Sequence, residues 1–243
     1  MSKACRCSSA HRARRSGAAV FGGAINTTSK FARLDDFTTA QVAGGSADLA
    51  RATLDLNRNV GATTAVRLNV MAHQSGLADI DNAESERWGA SAAIGFGIGT
   101  DTSLEALYFH QSDDRVPYYG VPVVAAPGQL AAPLPVDRST FYGTEHDRDQ
   151  TEADVLTVRI AHQANDWLEL HNDTRVGVFA REFMAVAPNC NNTAPSTCLT
   201  DFFDGNDATV PLVTRGGASG PYYLDQWGIQ NITTAIADFE AGG

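Results

Sequence analysis

The sequence lacks any run of about 18 apolar residues, which excludes a transmembrane helix. It does not exclude a transmembrane β-barrel, because barrel strands alternate apolar and polar residues and escape a hydropathy scan. Charge is also scarce, at 19% of the 243 residues against roughly 25% in an average soluble protein. With 18 Lys+Arg against 28 Asp+Glu the net charge is −10. We therefore expect no nucleic-acid partner, which would require a basic surface.

Catalytic motifs are missing as well. The sequence contains no H-E-x-x-H, G-x-S-x-G or P-loop pattern, so we expect no enzyme and no resident cofactor or metal. GFGIG at 95–99 lacks the third glycine of a dinucleotide-binding loop and lies among alternating residues, which favours small side chains in a barrel wall. EHDRD at 145–149 groups carboxylates with a histidine, and a solvated loop is the better interpretation.

Cysteine is limited to four residues, Cys5, Cys7, Cys190 and Cys198. The last two flank NNTAPST, a stretch of turn-forming residues, and we expect a disulfide between them in an oxidising compartment. Free thiols are the alternative. No cluster of Cys and His completes a zinc site around them.

The first 20 residues differ from the rest in charge. They hold five of the 18 basic residues and none of the 28 acidic ones, which leaves 13 against 28 and a net charge of −15 for residues 21–243. A targeting segment is one interpretation. We prefer an atypical, unstructured basic leader over residues 1–21.

The dominant pattern in the remaining chain is a two-residue alternation of apolar and polar side chains, which is typical of strands with two different faces. Leu54 and Leu56 share one face, for example, while Asp55 and Asn57 share the other. The pattern predicts an all-β chain of about eight strands, each near the length of about ten residues that crosses a bilayer. We place these strands at 37–43, 49–59, 65–73, 87–99, 103–111, 155–162, 167–181 and 228–239.

The connections between these strands alternate in length. NVGAT, GTDT and QAND are short, whereas SGLADIDNAE and the stretches that begin at Ser112 and Pro188 are longer. Tight turns at one end and long loops at the other are typical of an outer-membrane barrel, whereas a β-sandwich mixes its turn lengths. The sequence therefore favours an antiparallel transmembrane barrel.

The composition of the two faces supports a barrel. Arg, Asp, Asn, Glu and His on the second face suit a wet lumen, because unpaired charges in a dry sandwich interior cost several kcal/mol each. Aromatic residues near the strand ends fit the girdles at the membrane interfaces, and ordinary core aromatics of a soluble β protein are the alternative. These residues are Trp88, Tyr108, Trp167 and Trp227.

Several segments resemble TonB-dependent outer-membrane siderophore receptors. GGAINTTSK at 22–30 looks like the last strand of their plug domain, and the S-D-D-x-x-P-x-Y-G-x-P element from Ser112 to Pro122 and the D-R-S-x-F-Y-G element from Asp137 to Gly143 are similar to catecholate-type members. The resemblance extends over roughly 22–240, through the barrel-like segments 51–76, 86–122 and 137–162.

The resemblance implies a domain order and a location. Residues 22–32 correspond to the last plug strand, and 33–243 to the N-terminal part of a barrel of about 22 strands. The family works in the cell outer membrane, in contact with lipid. We expect a truncated piece that lacks the TonB-contacting region and therefore, by itself, lacks energised transport.

The resemblance also implies a function. Family members take up ferric catecholate siderophores in an energised step that depends on TonB. Flat anionic catecholates suit arginine charge and aromatic rings, contacts that contribute about 0.5–2 kcal/mol each. The residues of the two long loops that we expect to bind the ligand are Arg115, Tyr118, Tyr119, Arg138, Phe141, Tyr142, Tyr222 and Tyr223. Arg148, Phe202, Phe203 and Arg215 are further loop residues of the same kinds.

Two alternatives remain open at this point. One is an independent, porin-like barrel of eight strands, since eight strands can close. The other is a soluble β-sandwich binding module. A partial barrel differs from both in having two open edges, which promote aggregation.

Overall fold

The fold is a single large antiparallel sheet with additional short strands. The computed structural model describes residues 2–8, 24–124, 132–134, 136–188, 212–215 and 221–238. Among these residues, no helix is long and apolar enough to cross a membrane. The strands, in chain order, are β1 (Ser2–Ser8), β2 (Ala24–Ser29), β3 (Phe37–Gly44), β4 (Ala50–Gly61), β5 (Thr64–Leu77), β6 (Ile80–Phe96), β7 (Thr102–Arg115), β8 (Val123–Val124), β9 (Ala132–Pro133), β10 (Arg148–Asn165), β11 (Leu168–Pro188), β12 (Leu212–Arg215) and β13 (Tyr222–Ala237).

The eight long strands pair with their sequence neighbours in the order β3-β4-β5-β6-β7-β10-β11-β13, and β12 continues the β13 side of β11. All of these pairings are antiparallel. The predicted all-β, antiparallel architecture with eight barrel strands is therefore confirmed. The sheet stays open, because β3 pairs with β4 and β13 with β11, and the two edge strands do not pair with each other. This arrangement favours a partial barrel over a closed barrel of eight strands.

The two faces of the sheet have reversed polarity compared with a soluble protein. The face that carries Leu68, Val70, Trp88 and Leu156, called the outer face, leaves these large apolar side chains exposed. The opposite, inner face buries Asn57, Arg67, Asn69, Ser91 and Asp149. A β-sandwich would bury the apolar face and hydrate the charged one. The sandwich alternative is therefore wrong for this chain.

The inner face curls around the segment that leads into β3. Phe31 and Ala32 of this segment are buried together with Ala65, Ala93 and Leu107 from three strands. The guanidinium of Arg159, on β10, lies 4.1 Å from the centre of the Phe31 ring. Side chains from strands far apart in the sheet thus converge on one segment, which requires a curved sheet.

Aromatic residues mark both borders of the apolar outer face. Trp88 and Trp227 are exposed toward the end with the long loops, and Phe96 and Trp167 toward the end with the short turns. Tyr108, which was also expected near a strand end, pairs with Ala92 and lies midway between these borders. From Trp88 to Phe96 the strand rises about 27 Å. At a tilt of about 40° this gives a height of about 21 Å, comparable with the roughly 25 Å apolar band of outer-membrane barrels.

Connection lengths follow the predicted alternation with one exception. Residues 62–63, 97–101 and 166–167 form the turn end of the sheet, and β7 and β11 end at Arg115 and Pro188 at the opposite, loop end. SGLADIDNAE was expected to be a long loop, and this expectation is wrong. β5 and β6 continue through it to a tight turn at 78–79. Asp79 in this turn and Asn82 near the start of β6 have positive φ. The pairing of the two strands continues beyond the apolar band.

The leader segment also differs from expectation in part. Ser2–Ser8 pairs antiparallel with Ala24–Ser29 in a separate two-stranded sheet. The GGAINTTSK segment therefore finds its backbone partner in the leader and not in the large sheet. The predicted disulfide between Cys190 and Cys198 lies outside the described residues and stays a prediction.

The turn between β6 and β7 depends on one glycine. Gly97 has φ +65°, and a Cβ at this position would overlap the Thr102 carbonyl oxygen. Gly99 has φ +80° in the same turn, with open space around it. GFGIG therefore contributes a strand end and a turn, and its glycines serve the backbone.

Gly97→Ala should lower the free energy of unfolding more than Gly99→Ala. The left-handed conformation alone costs a residue with a Cβ about 1 kcal/mol, which both variants share. Overlap with Thr102 adds about 2 kcal/mol in Gly97→Ala alone. Urea unfolding of the chain in phosphatidylcholine vesicles, followed by tryptophan fluorescence, measures the difference. Equal losses in the two variants would contradict the structure of this turn.

Candidate functional site

The loop end of the inner face carries a buried carboxylate shared by two arginines. Asp149, at the start of β10, is 3% exposed. It accepts hydrogen bonds from Arg115 Nε at 2.9 Å and from Arg181 Nε and Nη2 at 2.7 and 2.9 Å. These three residues are adjacent because β10 pairs with β7 on one side and with β11 on the other. One carboxylate offsets one guanidinium, so the group retains a net charge of about +1.

Aromatic rings surround the Arg181 guanidinium. Its central carbon lies 5.2 Å from the Phe183 ring centre and 5.5 Å from the Tyr222 ring centre. Phe183 and Tyr222 are themselves stacked, with ring centres 5.3 Å apart. Both rings share the inner face, because Phe183 and Tyr222 are direct partners in the β11–β13 pairing. We call Arg115, Asp149, Arg181, Phe183 and Tyr222 the loop-end cluster.

A second aromatic group lies in the connection between β7 and β10. Tyr118 stacks on Phe141 with ring centres 6.0 Å apart. Tyr142 follows directly, and burial, together with the nearby Tyr118 hydroxyl, raises the pKa of Tyr142. The ends of this connection are fixed on both sides. Val116 N donates to Glu84 O at 2.9 Å, and Val186 N donates to the Asp147 carboxylate at 3.1 Å.

Two of the residues predicted to bind a ligand lie elsewhere. Tyr223 is exposed on the outer face, because it neighbours Tyr222 in a strand and successive side chains alternate. Arg138 is exposed and pairs at 3.1 Å with Asp79 in the β5–β6 turn. Arg148 also belongs to the outer face and pairs with Glu182. Phe202 and Phe203 lie outside the described residues.

The sequence interpretation missed the two residues that organise this site. Asp149 was assigned to a solvated loop, and Arg181 was only the last residue of the strand predicted at 167–181. Asp149 stands between Arg148 and Gln150, so no apolar alternation marks its face, and the pairing of Arg181 with it across two strands needs the register. Within the described part of the chain, no group of three or more His, Cys, Asp or Glu side chains could hold a metal ion.

The known proteins that are similar to this chain in sequence include siderophore receptors. The chain is similar to the catecholate siderophore receptor Fiu of Escherichia coli K12, with 36% identity over 174 residues that cover 68% of this chain and 23% of the relative. It is 31% identical over 180 residues to the probable TonB-dependent siderophore receptor PiuA of Acinetobacter baumannii, covering 71% and 24%. No protein-family model matches the chain.

Solved structures agree with these sequence matches. The open form of the ferric-catecholate import receptor Fiu of Escherichia coli K12 superposes with a TM-score of 0.76 at 29% identity, over 90% of this chain and 34% of that structure. The siderophore receptor PiuA of Acinetobacter baumannii has the same fold, with a TM-score of 0.76 at 24% identity over 91% and 30%. The chain spans about a quarter of the length of the curated relatives it matches.

Proposed function

Because this chain belongs to the family of TonB-dependent siderophore receptors, we propose that it supplies part of a receptor for ferric catecholate siderophores. Residues 22–32 form the end of the plug, and 33–243 form the first barrel strands in the bacterial outer membrane. Lipid covers the outer face, and a ferric siderophore binds at the loop end. Binding and passage make and break no covalent bond, so the role is that of a transporter and not an enzyme. TonB acts on the plug of the whole receptor.

The observation that carries this proposal is the loop-end cluster. At the loop end of the polar inner face, Arg115 and Arg181 share the single carboxylate of Asp149. Phe183 and Tyr222 flank the Arg181 guanidinium. A ferric catecholate complex is anionic, and its rings are flat. It is attracted by the surplus positive charge and stacks on the aromatic and guanidinium planes.

The predicted ligand-binding residues divide according to this geometry. Arg115 and Tyr222 belong to the loop-end cluster, and Tyr118, Phe141 and Tyr142 form the aromatic group of the adjoining connection. Tyr119 follows Tyr118 in the same connection and is exposed. These residues form the proposed binding surface. Arg138 and Tyr223 are exposed at its periphery and contribute less.

Arg181→Gln should weaken ferric catecholate binding about tenfold, because it removes a stacked cation worth about 1.4 kcal/mol. The probe is the ferric complex of 2,3-dihydroxybenzoate, titrated into the chain reconstituted in detergent micelles, with quenching of tryptophan fluorescence as the readout. Arg175→Gln is the matched control, because Arg175 shares the strand and the inner face but lies six residues toward the turn end.

Binding of the probe in Arg175→Gln should stay within about twofold of the unmodified chain. A neutral ferric hydroxamate should respond equally weakly to both substitutions, because it offers the arginine no net charge. An equal loss of catecholate binding in the two variants would contradict the proposed site. Absence of catecholate binding to the unmodified chain would contradict it as well.

A further inference from the structure

The segment between β2 and β3 is held to the barrel wall by a network that no part of the proposed ligand site uses. Arg67, on β5, has a side chain that is 2% exposed. Its Nε and Nη2 donate to the two carboxylate oxygens of Asp55 at 2.8 and 2.7 Å, and its Nη1 donates to Phe31 O at 3.0 Å. One guanidinium thus connects two barrel strands to the backbone of the segment.

Lys30 attaches the start of the segment to the same carboxylate. Its Nζ donates to Asp55 Oδ2 at 2.8 Å and to Asn69 Oδ1 at 3.2 Å. Asp55 is therefore the single acid between two cations, all three mostly shielded from solvent. Removal of the acid would leave both cations without a counter-charge in a poorly hydrated place.

Asn57 holds the middle of the segment through backbone contacts. Arg33 N donates to Asn57 Oδ1 at 3.2 Å, and Asn57 Nδ2 donates to Arg33 O at 2.7 Å and to Asp35 O at 2.5 Å. The Asn57 side chain is fully buried. The change from exposed to buried side chains is abrupt along the chain. Ser29 is exposed, whereas Phe31 and Ala32 are buried.

We propose that Asp55, acting through Arg67 and Lys30, is the positioning residue that anchors segment 30–36 to β4 and β5. The anchor fixes the end of the chain that precedes it. A displacement of residues before Lys30 is therefore not transmitted to β3. This consequence rests on the proposed function, in which the preceding chain is the plug, whereas the anchor itself rests only on the contacts above.

The test is amide hydrogen exchange of Asp55→Asn, read by mass spectrometry on the chain in detergent micelles. Exchange of a peptide that spans 31–36 should accelerate at least tenfold, because the buried cations lose their counter-charge and the segment detaches. A peptide from β10 and β11 should keep its rate. Asp113→Asn, which breaks the Arg87–Asp113 pair on the same face, should leave 31–36 protected.

Arg67→Lys covers the case in which Asp55→Asn destabilises the whole sheet. Lysine keeps the positive charge but cannot form the bidentate contact with the Asp55 carboxylate. Amide exchange should therefore rise in 31–36 and not in β10 and β11. The proposal is overturned if 31–36 keeps its wild-type rate in Asp55→Asn with an intact sheet. It is also overturned if both variants accelerate exchange equally everywhere.

The same preparations separate this inference from the function. If the unmodified chain protects 31–36 but does not bind ferric 2,3-dihydroxybenzoate, the proposed function fails and the anchor remains. If it binds the catecholate while 31–36 exchanges as fast as in Asp55→Asn, the anchor fails and the proposed function remains.

Discussion

Leu156→Arg should lower the free energy of unfolding by about 2–4 kcal/mol, the cost of an arginine on the lipid face near the middle of the apolar band. Leu156 lies on β10 in register with Tyr108 and Val176, and 45% of it is exposed on the outer face. A soluble protein would tolerate arginine at so exposed a position, since surface substitutions usually change stability by less than about 0.5 kcal/mol. Urea unfolding in phosphatidylcholine vesicles, followed by tryptophan fluorescence, measures the change.

Gln111→Arg is the matched control for this substitution. Gln111 lies on the inner face of β7, opposite Gly89 and Ala153, and two residues from Asp113. The new charge would enter a wet surface that already holds ion pairs, so we expect a change within about 0.5 kcal/mol. An equal loss at the two positions would contradict the assignment of the faces. A negligible loss in Leu156→Arg would contradict the assignment of the outer face to lipid.

The sequence predicted the sheet well because one physical rule governs all eight strands. Each strand has an apolar outer face and a polar inner face, so its side chains alternate. This constraint is visible in Leu54 and Leu56 against Asp55 and Asn57. The rule predicts the face on which a residue lies better than it predicts where a strand ends. β5 and β6 extend past the band to Leu77 and Ile80, where both faces are wet and alternation no longer separates strand from loop.

The candidate site was predictable by residue type but not by partner. Tyr222 and Tyr223 were equivalent in the sequence analysis, and their one-residue offset places them on opposite faces. Asp149 belongs to EHDRD, which was interpreted as a solvated loop. Its role became clear only from the register that sets Arg115 on one side and Arg181 on the other. Such register depends on turn lengths and bulges across several strands, which a single sequence does not specify.

The two polar networks of the inner face, at opposite ends of the sheet, have the same arrangement of one carboxylate between two cations. Asp55 joins Arg67 and Lys30 beneath the segment that enters β3, and Asp149 joins Arg115 and Arg181 beneath the aromatic rings. In each network one acid orders two cations. The difference is burial. Arg67 is enclosed, whereas Arg115 and Arg181 remain partly exposed to solvent.

Asp149→Asn should therefore lower the free energy of unfolding by about 2–3 kcal/mol, less than the 3–5 kcal/mol of a fully enclosed pair. The reduction follows from the exposure of the partners, since half of the Arg115 side chain and a third of that of Arg181 contact solvent. The amide cannot neutralise either guanidinium, and the two cations then repel each other. The measurement is again urea unfolding in vesicles.

A double variant shows whether charge sharing is the cause. Arg115→Gln in the Asp149→Asn background removes the surplus cation, so the double variant should be more stable than Asp149→Asn alone. Asp173→Asn is the matched control, because it breaks an exposed pair with Arg159 on the same face and should cost less than about 0.5 kcal/mol. If the loss in free energy of unfolding of the double variant equalled the sum of the losses of Asp149→Asn and Arg115→Gln, the shared carboxylate would not organise the cluster. The surplus positive charge proposed to attract the catecholate would then have no structural basis.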